Sequence, residues 1–266
     1  MPSCETQTIP PPIEVQDLLM AYDGLVIQHD LTFTVGRGET FIIMGGSGCG
    51  KSTLLRHLTG MITPASGTVR REGIDFFATD EDTRNAIRRR SGIMYQAGGL
   101  WSSLTLAENV AFPLREFTSL SKKDIMELAS LKLALVGLAG CERLLPSELS
   151  GGMLKRASLA RAMALDPEVL FCDEPSAGLD PISARRLDEL IVELRNSLGT
   201  TIVVVTHDLQ SIFTIATNSI FLDDETRTIR ASGPPNDILA SSNDDKIIQF
   251  LTRGTQSSLS NSAIHN

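Results

Sequence analysis

The sequence predicts an α/β fold organised around a parallel sheet that is covered on both faces. Two observations predict it. Three segments, TFIIM at 40–44, VLFCD at 169–173 and TTIVVVT at 200–206, read as short apolar runs, as strands buried on both faces must. Helical patterns alternate with them: KSTLLRHLTG follows the first, Pro181–Leu198 separates the second from the third, and another helix starts after Asp208.

Taken in order, Met1–Pro12 is polar and ends in Ile-Pro-Pro-Pro, which cannot continue a helix and is expected to be an extended lead-in over 1–12. One domain over 13–253 is expected to follow. It opens with two strands, IEVQDLL at 13–19 and LTFTV at 31–35, the second marked by the alternation of Leu31, Phe33 and Val35. SGIMY at 91–95 reads as a further strand. From about 98 to 165 the pattern turns mostly helical, with one run over Ser121–Val136 and another through MLKRASLARAMAL at 153–165. Residues 254–266 are rich in Ser, Asn and Gln, and a flexible tail is expected there.

Composition narrows the class of protein. At 266 residues with 42% hydrophobic and 21% charged side chains, the chain has enough apolar material for a large core and no signature of disorder. A net charge of −8 argues against a protein that coats nucleic acid, which needs clustered Lys and Arg. Cys4, Cys49, Cys141 and Cys172 lack CxxC spacing, so neither a zinc site nor a disulfide framework is expected, and a reducing cytoplasm fits. No apolar run approaches the length of a membrane span, and the first thirty residues lack signal-peptide features. A soluble chain is expected, with room for a membrane-embedded partner.

GGSGCGKST at 45–53 matches G-x-x-x-x-G-K-[ST] between an expected strand and an expected helix. The glycines let backbone N–H groups of Gly45, Gly46, Ser47, Gly48, Cys49 and Gly50 curl toward phosphate oxygens, and the helix N-terminus adds positive dipole at the same place. Lys51 is expected to reach the β and γ phosphates of ATP, and Ser52 to ligate Mg²⁺, with Thr53 beside it. EVLFCDE at 168–174 is an apolar strand ending in two carboxylates, which suits Asp173 to the metal and Glu174 to activation of water. Ser150, Gly151 and Gly152 precede a strong helical run and read either as a second anion-binding helix start or as a capped helix alone.

The phosphate loop, Gln96 after SGIMY, LSGG at 149–152, LFCDEP at 170–175, SAGLD at 176–180 and His207 after TTIVVVT occur in the order found in ATP-binding-cassette ATPases. From about Ile13 to Ser232 the chain resembles that family. The resemblance implies a P-loop NTPase with a RecA-like parallel-sheet core, an antiparallel β subdomain and a helical subdomain. It also implies that Tyr22 stacks on adenine, that Gln96 touches Mg²⁺ and the attacking water, and that His207 grips the γ phosphate. Ser150 and Gly152 would contact nucleotide held by a second copy of the chain, and Asp180 would bridge that homodimer. One departure is Met153, where many members have Gln after LSGG.

LPSELSGGM at 145–153 and YQAGGLWSSLTLAENVAFPLRE at 95–116 are similar to the ATPases of Mce/Mla-type lipid transporters. This implies a subunit on the cytoplasmic face of an inner membrane, energising phospholipid transport in a Gram-negative-type envelope. Its partners would be an integral-membrane permease, an MCE-domain lipid-binding protein and a small accessory regulatory subunit. A cassette ATPase for amino acids or drugs, one outside transport, and a non-hydrolysing cassette stand as alternatives.

Four further expectations come from the remaining features. Leu100, Trp101 and Leu104 are expected to form a groove for a permease helix, against the alternative of Trp101 in the subdomain core. DEDTRNAIRRR at 80–90 reads as a solvated helix face. The stripe Ile247, Phe250 and Leu251 is expected to dock, either on its own domain or on a second subunit. Cys49, near positive dipole, is expected to be reactive toward alkylating reagents.

Overall fold

The computed structural model describes residues 9–252. The tail expected over 254–266 lies outside the described residues, as do residues 1–8 of the expected lead-in.

The chain opens with a hairpin of β1 (Ile13–Tyr22) and β2 (Leu25–Val35). Asp23 and Gly24 join them with φ of 48° and 79°, and positive φ at both turn residues matches the twist of the flanking strands. Next come β3 (Thr40–Gly45), α1 (Lys51–Leu58), β4 (Ser66–Arg71), β5 (Ile74–Asp75), α2 (Glu81–Arg89) and β6 (Ser91–Met94). Three helices follow, α3 (Leu106–Phe117), α4 (Lys122–Leu135) and α5 (Gly151–Ala162). Alternation returns with β7 (Val169–Asp173), α6 (Pro181–Leu198), β8 (Thr201–Val205), α7 (Leu209–Ile215) and β9 (Asn218–Leu222). The described chain ends with β10 (Ile229–Ser232), α8 (Pro235–Ser241) and α9 (Asp245–Thr252).

These strands form two sheets. An antiparallel sheet has the order β2-β1-β4-β5, and a larger sheet has the order β10-β9-β3-β8-β7-β6, parallel except for β10. The sequence reading anticipated four of the five parallel strands, β3, β6, β7 and β8. Missing from it were β4, β5, β9 and β10, short segments whose polar residues or mixed pattern give a weak signal.

Strand periodicity divides the core into two layers. On β3, Ile42 and Met44 point into an apolar layer with α3, α5 and α6, while Phe41 and Ile43 point into a layer shared with α1 and the antiparallel sheet. β8 repeats this with Ile202 and Val204 on one side and Val203 and Val205 on the other. Both faces are therefore covered, which is why these strands read as continuous apolar runs.

The helix ends carry the capping chemistry that their sequence encodes. Ser121 caps α4 and Asp180 caps α6, with Pro181 in the first turn. Gly199 stops α6 with φ of 67°. Asp80 caps α2, a helix whose Glu81 pairs with Arg84 at 3.2 Å and Arg88 at 3.0 Å and whose buried side chain is Ile87. Among the described residues, no helix is long and apolar enough to cross a membrane.

The buried face of α6 includes one carboxyl. Asp188 is 1% exposed, accepts a hydrogen bond from Ser211 of α7 at 2.8 Å through Oδ2, and leaves Oδ1 without a partner among the described residues. Burial pushes its pKa from 3.8 up to about 6, opposed by the Ser211 hydroxyl and helped by Asp208 and Glu189. A carboxyl whose pKa is raised on folding favours the folded state most below its unfolded value, and that contribution is lost as pH rises through about 6. Asp188→Asn should therefore gain on the parent by on the order of 2–3 kcal/mol between about pH 4 and pH 7. Denaturant unfolding at both pH values measures this, and a difference independent of pH rules out the assignment.

Candidate functional site

The loop at 45–53 leaves β3 and runs into α1. Gly45 has φ of 147°, and a Cβ there would lie 2.4 Å from the carbonyl oxygen of Leu222, so only glycine lets β3 and β9 approach at this point. From β2, the buried amide of Gln28 donates to the carbonyls of Cys49 at 2.7 Å and Asp223 at 2.8 Å, fastening the loop to the sheet. Lys51 folds over the loop and donates to the carbonyls of Gly45 at 3.0 Å and Gly46 at 2.7 Å. The loop floors a cleft of about 900 Å³ whose lining includes Gly46, Ser47, Gly48, Gly50, Lys51, Ser52 and Thr53.

The walls bring distant residues together. Ser52 Oγ donates to Asp173 Oδ1 at 3.0 Å across 121 residues of sequence. Gln96, Glu174 and His207 line the same cleft. Glu174 Oε1 lies 2.7 Å from His207 Nδ1, with the carboxylate side chain 11% exposed and the imidazole 66%. Glu174 also has φ of 47°, an uncommon conformation for a residue with a side chain, held by its N–H on the carbonyl of Val205 at 2.8 Å.

This donor set fits Mg²⁺ with a nucleotide. A hydroxyl and a carboxylate 3.0 Å apart offer two oxygen ligands, and Mg²⁺ commonly takes one or two protein ligands and completes its octahedron with phosphates and water. Among the described residues, no cluster of three or more His, Cys, Asp or Glu side chains is placed to hold a metal, so the remaining ligands would come from the Gln96 amide, substrate and solvent.

Ser150, Gly151, Gly152 and Asp180 are not among the residues lining this cleft. Ser150 Oγ accepts from Met153 N–H at 3.3 Å and so caps α5. Asp180 Oδ1 accepts from the N–H groups of Ile182 and Ser183, both at 3.0 Å. The two helix starts are neighbours, because a Cβ on Gly152 would lie 3.1 Å from Ser183 Oγ. Tyr22 also stands outside the cleft lining, 65% exposed at the end of β1 rather than packed in the core.

One expectation is corrected here and one pair of alternatives is decided. Cys49 is not an activated thiol: its side chain is 2% exposed, and burial pushes its pKa up against the opposing charge of Lys51. The loop turns its backbone toward the cleft and the sulfur toward the core. The stripe on α9 is satisfied within its own domain, with Ile247 and Leu251 buried and Phe250 set edge-on to Phe221 at 5.1 Å. Lys246 anchors this helix to Asp223, Asp224 and Glu225.

A second cavity of about 480 Å³ lies between α2, β6 and α3, with Tyr95, Phe112 and Phe117 among its lining and Arg88, Arg89 and Arg161 at its polar side. Trp101 stands beside it, 6.1 Å from Phe112 and 53% exposed, so it is not in the subdomain core. Its backbone is held by Asn109, a fully buried amide that accepts from Trp101 N–H at 2.7 Å and donates to the carbonyls of Trp101, Leu104 and Thr105.

Sequence reasoning missed Gln28, Asn109, Lys155, Gln249 and Phe250 as parts of these sites. Gln249 and Phe250 line the nucleotide-sized cleft from α9.

The family described as ABC transporter matches residues 28–177. The chain is similar to the Intermembrane phospholipid transport system ATP-binding protein MlaF of Haemophilus influenzae, 39% identical over 90% of this chain and 89% of that protein. It is 38% identical to the Probable ribonucleotide transport ATP-binding protein mkl of Mycobacterium tuberculosis over 90% of this chain, and it spans 66% of that relative's length. Among solved structures, a dimeric ATP-binding cassette in a post-hydrolysis state bound to ADP and Pi superposes with a TM-score of 0.76 at 28% identity, over 83% of this chain and 97% of that one. The cbiO1 protein of Clostridium perfringens, part of the cbiONQ ABC transporter complex, reaches a TM-score of 0.80 at 26% identity, over 96% and 99%.

Burial also orders the three cysteines among the described residues by reactivity. Cys172 is wholly buried beside Asp173, and its pKa is pushed up to about 12, whereas Cys141 is half-buried. Iodoacetamide applied to the folded protein should therefore modify Cys141 ahead of Cys49 and Cys172, as mapped by peptide mass spectrometry. Labelling of Cys49 at the earliest time points contradicts this burial argument.

Proposed function

This chain belongs to the ABC transporter family of ATP-hydrolysing subunits, and from that premise we propose that it is the ATPase of an Mce/Mla-type transporter that moves phospholipid. The observation that carries the ATPase site is the convergence of Ser52 on Asp173 at 3.0 Å and of His207 on Glu174 at 2.7 Å over one glycine-rich loop.

In this reading the N–H groups of the loop and the ammonium of Lys51 bind the phosphates of ATP, Lys51 exchanging its two carbonyl partners for β and γ oxygens. Ser52, Asp173 and Gln96 hold Mg²⁺, which when bound neutralises phosphate charge. Glu174 accepts the proton of the attacking water, and the Gln96 amide orients that water. His207 contacts the γ phosphate through Nε2. Glu174 holds the ring through Nδ1 at 2.7 Å, which leaves Nε2 to meet that phosphate. Tyr22 presents an exposed ring to adenine.

Ser150, Gly151 and Gly152 complete the site in a second copy of the chain, with Asp180 at the junction. Their absence from the cleft lining supports this half-site arrangement, as does the dimeric form of solved relatives. Glu174→Gln keeps the shape of the side chain and removes its basicity, so ATP turnover should fall by about a hundredfold or more while MgATP affinity is retained. Turnover at the parent rate would exclude Glu174 as the base.

The lipid reading rests on coverage: the chain accounts for 88–89% of the length of the phospholipid-transport relatives, against 66% for the mycobacterial ones. A permease helix seats on the apolar groove beside Trp101, an MCE-domain protein receives or delivers the lipid, and an accessory subunit regulates the pair. The ATPase then works at the cytoplasmic face of the inner membrane. Trp101→Ala should abolish lipid transfer by the assembled transporter while thermal stability and basal ATPase activity are kept, and the purified complex should yield phospholipid on extraction and mass spectrometry. Recovery of a ribonucleotide or amino acid in place of lipid, or a large fall in melting temperature of the variant, defeats the respective half of this reading.

A further inference from the structure

Helix α5 starts at the Ser150–Gly152 segment and, one turn later, buries a cation. Lys155 is 5% exposed, and no carboxylate lies within ion-pair distance of it among the described residues. Burial of an ammonium is costly unless its donors are satisfied. Here the donors go to two backbone carbonyls, that of Gln96 at 2.7 Å and that of Glu174 at 3.2 Å. Burial lowers its pKa, while the nearby charges of Glu174 and Asp173 oppose that shift.

The two carbonyls belong to the residues that flank the reacting end of the cleft. Gln96 follows β6 in irregular backbone, and Glu174 sits in the left-handed region at the end of β7. Beyond Lys155, the Glu174 carbonyl is bonded by Ala177 N–H at 3.2 Å, within its own turn. Lys155 is thus the direct hydrogen-bonded link from α5 to the backbone on both sides of the cleft. A methionine would fill the same volume without any donor.

We propose that Lys155 is a positioning residue, which ties Gln96 and Glu174 of its own cleft to the helix whose first turn reaches the partner copy's nucleotide. The inference rests on the roles given to Glu174, Gln96 and Ser150–Gly152 above. Engagement of one copy's α5 then sets the geometry of the water-activating residues of that same copy. Loss of the ammonium leaves the Gln96 carbonyl unpaired and the Glu174 carbonyl with Ala177 N–H alone, which loosens the backbone that aims the carboxylate at its water.

Lys155→Met, Lys155→Gln and Glu174→Gln, each in the full chain assembled with its transporter, test this. Lys155→Met should lower kcat by about tenfold to a hundredfold, the range that a displacement near 1 Å produces, with MgADP affinity from calorimetry within about twofold of the parent. Lys155→Gln, which retains a donor, should recover part of the loss. Parental kcat in Lys155→Met, with turnover lost in Glu174→Gln, overturns the inference and leaves the reading of Glu174 intact. A fall in kcat matched by equal losses of MgADP affinity and melting temperature, with Lys155→Gln no better than Lys155→Met, marks a packing role and also overturns it. Parental turnover in Glu174→Gln removes the reading and the inference together.

Discussion

Parallel pairing of β3, β8 and β7 in one register sets Ile43 beside Val205 and Val205 beside Asp173, so three strands end along a single line. The loops that leave this edge carry the glycine-rich segment, His207 and Glu174. The cleft exists because these ends coincide, as expected for the carboxyl edge of an open α/β sheet. A one-residue slip of β7 would exchange the sides of Cys172 and Asp173. The thiol would then face Ser52, and the carboxylate would enter the apolar layer that now holds Cys172 with Ile42 and Met94.

Not all of the residues proposed for the ATP site lie at this edge. Ser150–Gly152 and Asp180 sit at two adjacent helix starts away from the cleft, and both are capped by short local hydrogen bonds. α5 connects the two places within one chain: it starts at Ser150–Gly152, and Lys155 reaches back to the cleft backbone. A rigid helix that touches both places transmits a displacement at one end to the other, with no need for a longer chain of contacts.

Burial, more than residue type, decides the character of several groups. Cys49 sits in a loop with positive dipole, but the low-dielectric side of that loop receives its sulfur and disfavours the thiolate. Asp188 is held closer to its neutral form than an exposed aspartate. Asn109 uses its whole amide on backbone carbonyls and an N–H group, and Gln28 donates its amide N–H groups to two backbone carbonyls, so each acts as a fastener for a loop that has no ladder of its own.

The apolar strands, the bounds of α6, the Ser121–Val136 run and the phosphate loop were legible in the sequence because period, caps and turn residues act over a few neighbouring positions. The order of motifs added the family and its expected site residues. The facing of single side chains was not legible. Whether Cys49 points to the cleft or the core, whether α9 docks at home, and whether Trp101 is covered depend on surfaces brought together from far along the chain. Gln28 meets Asp223 across 195 residues and Lys155 meets Gln96 across 59. Such contacts leave no local pattern, since their energy comes from desolvated groups finding partners only once the layers have packed.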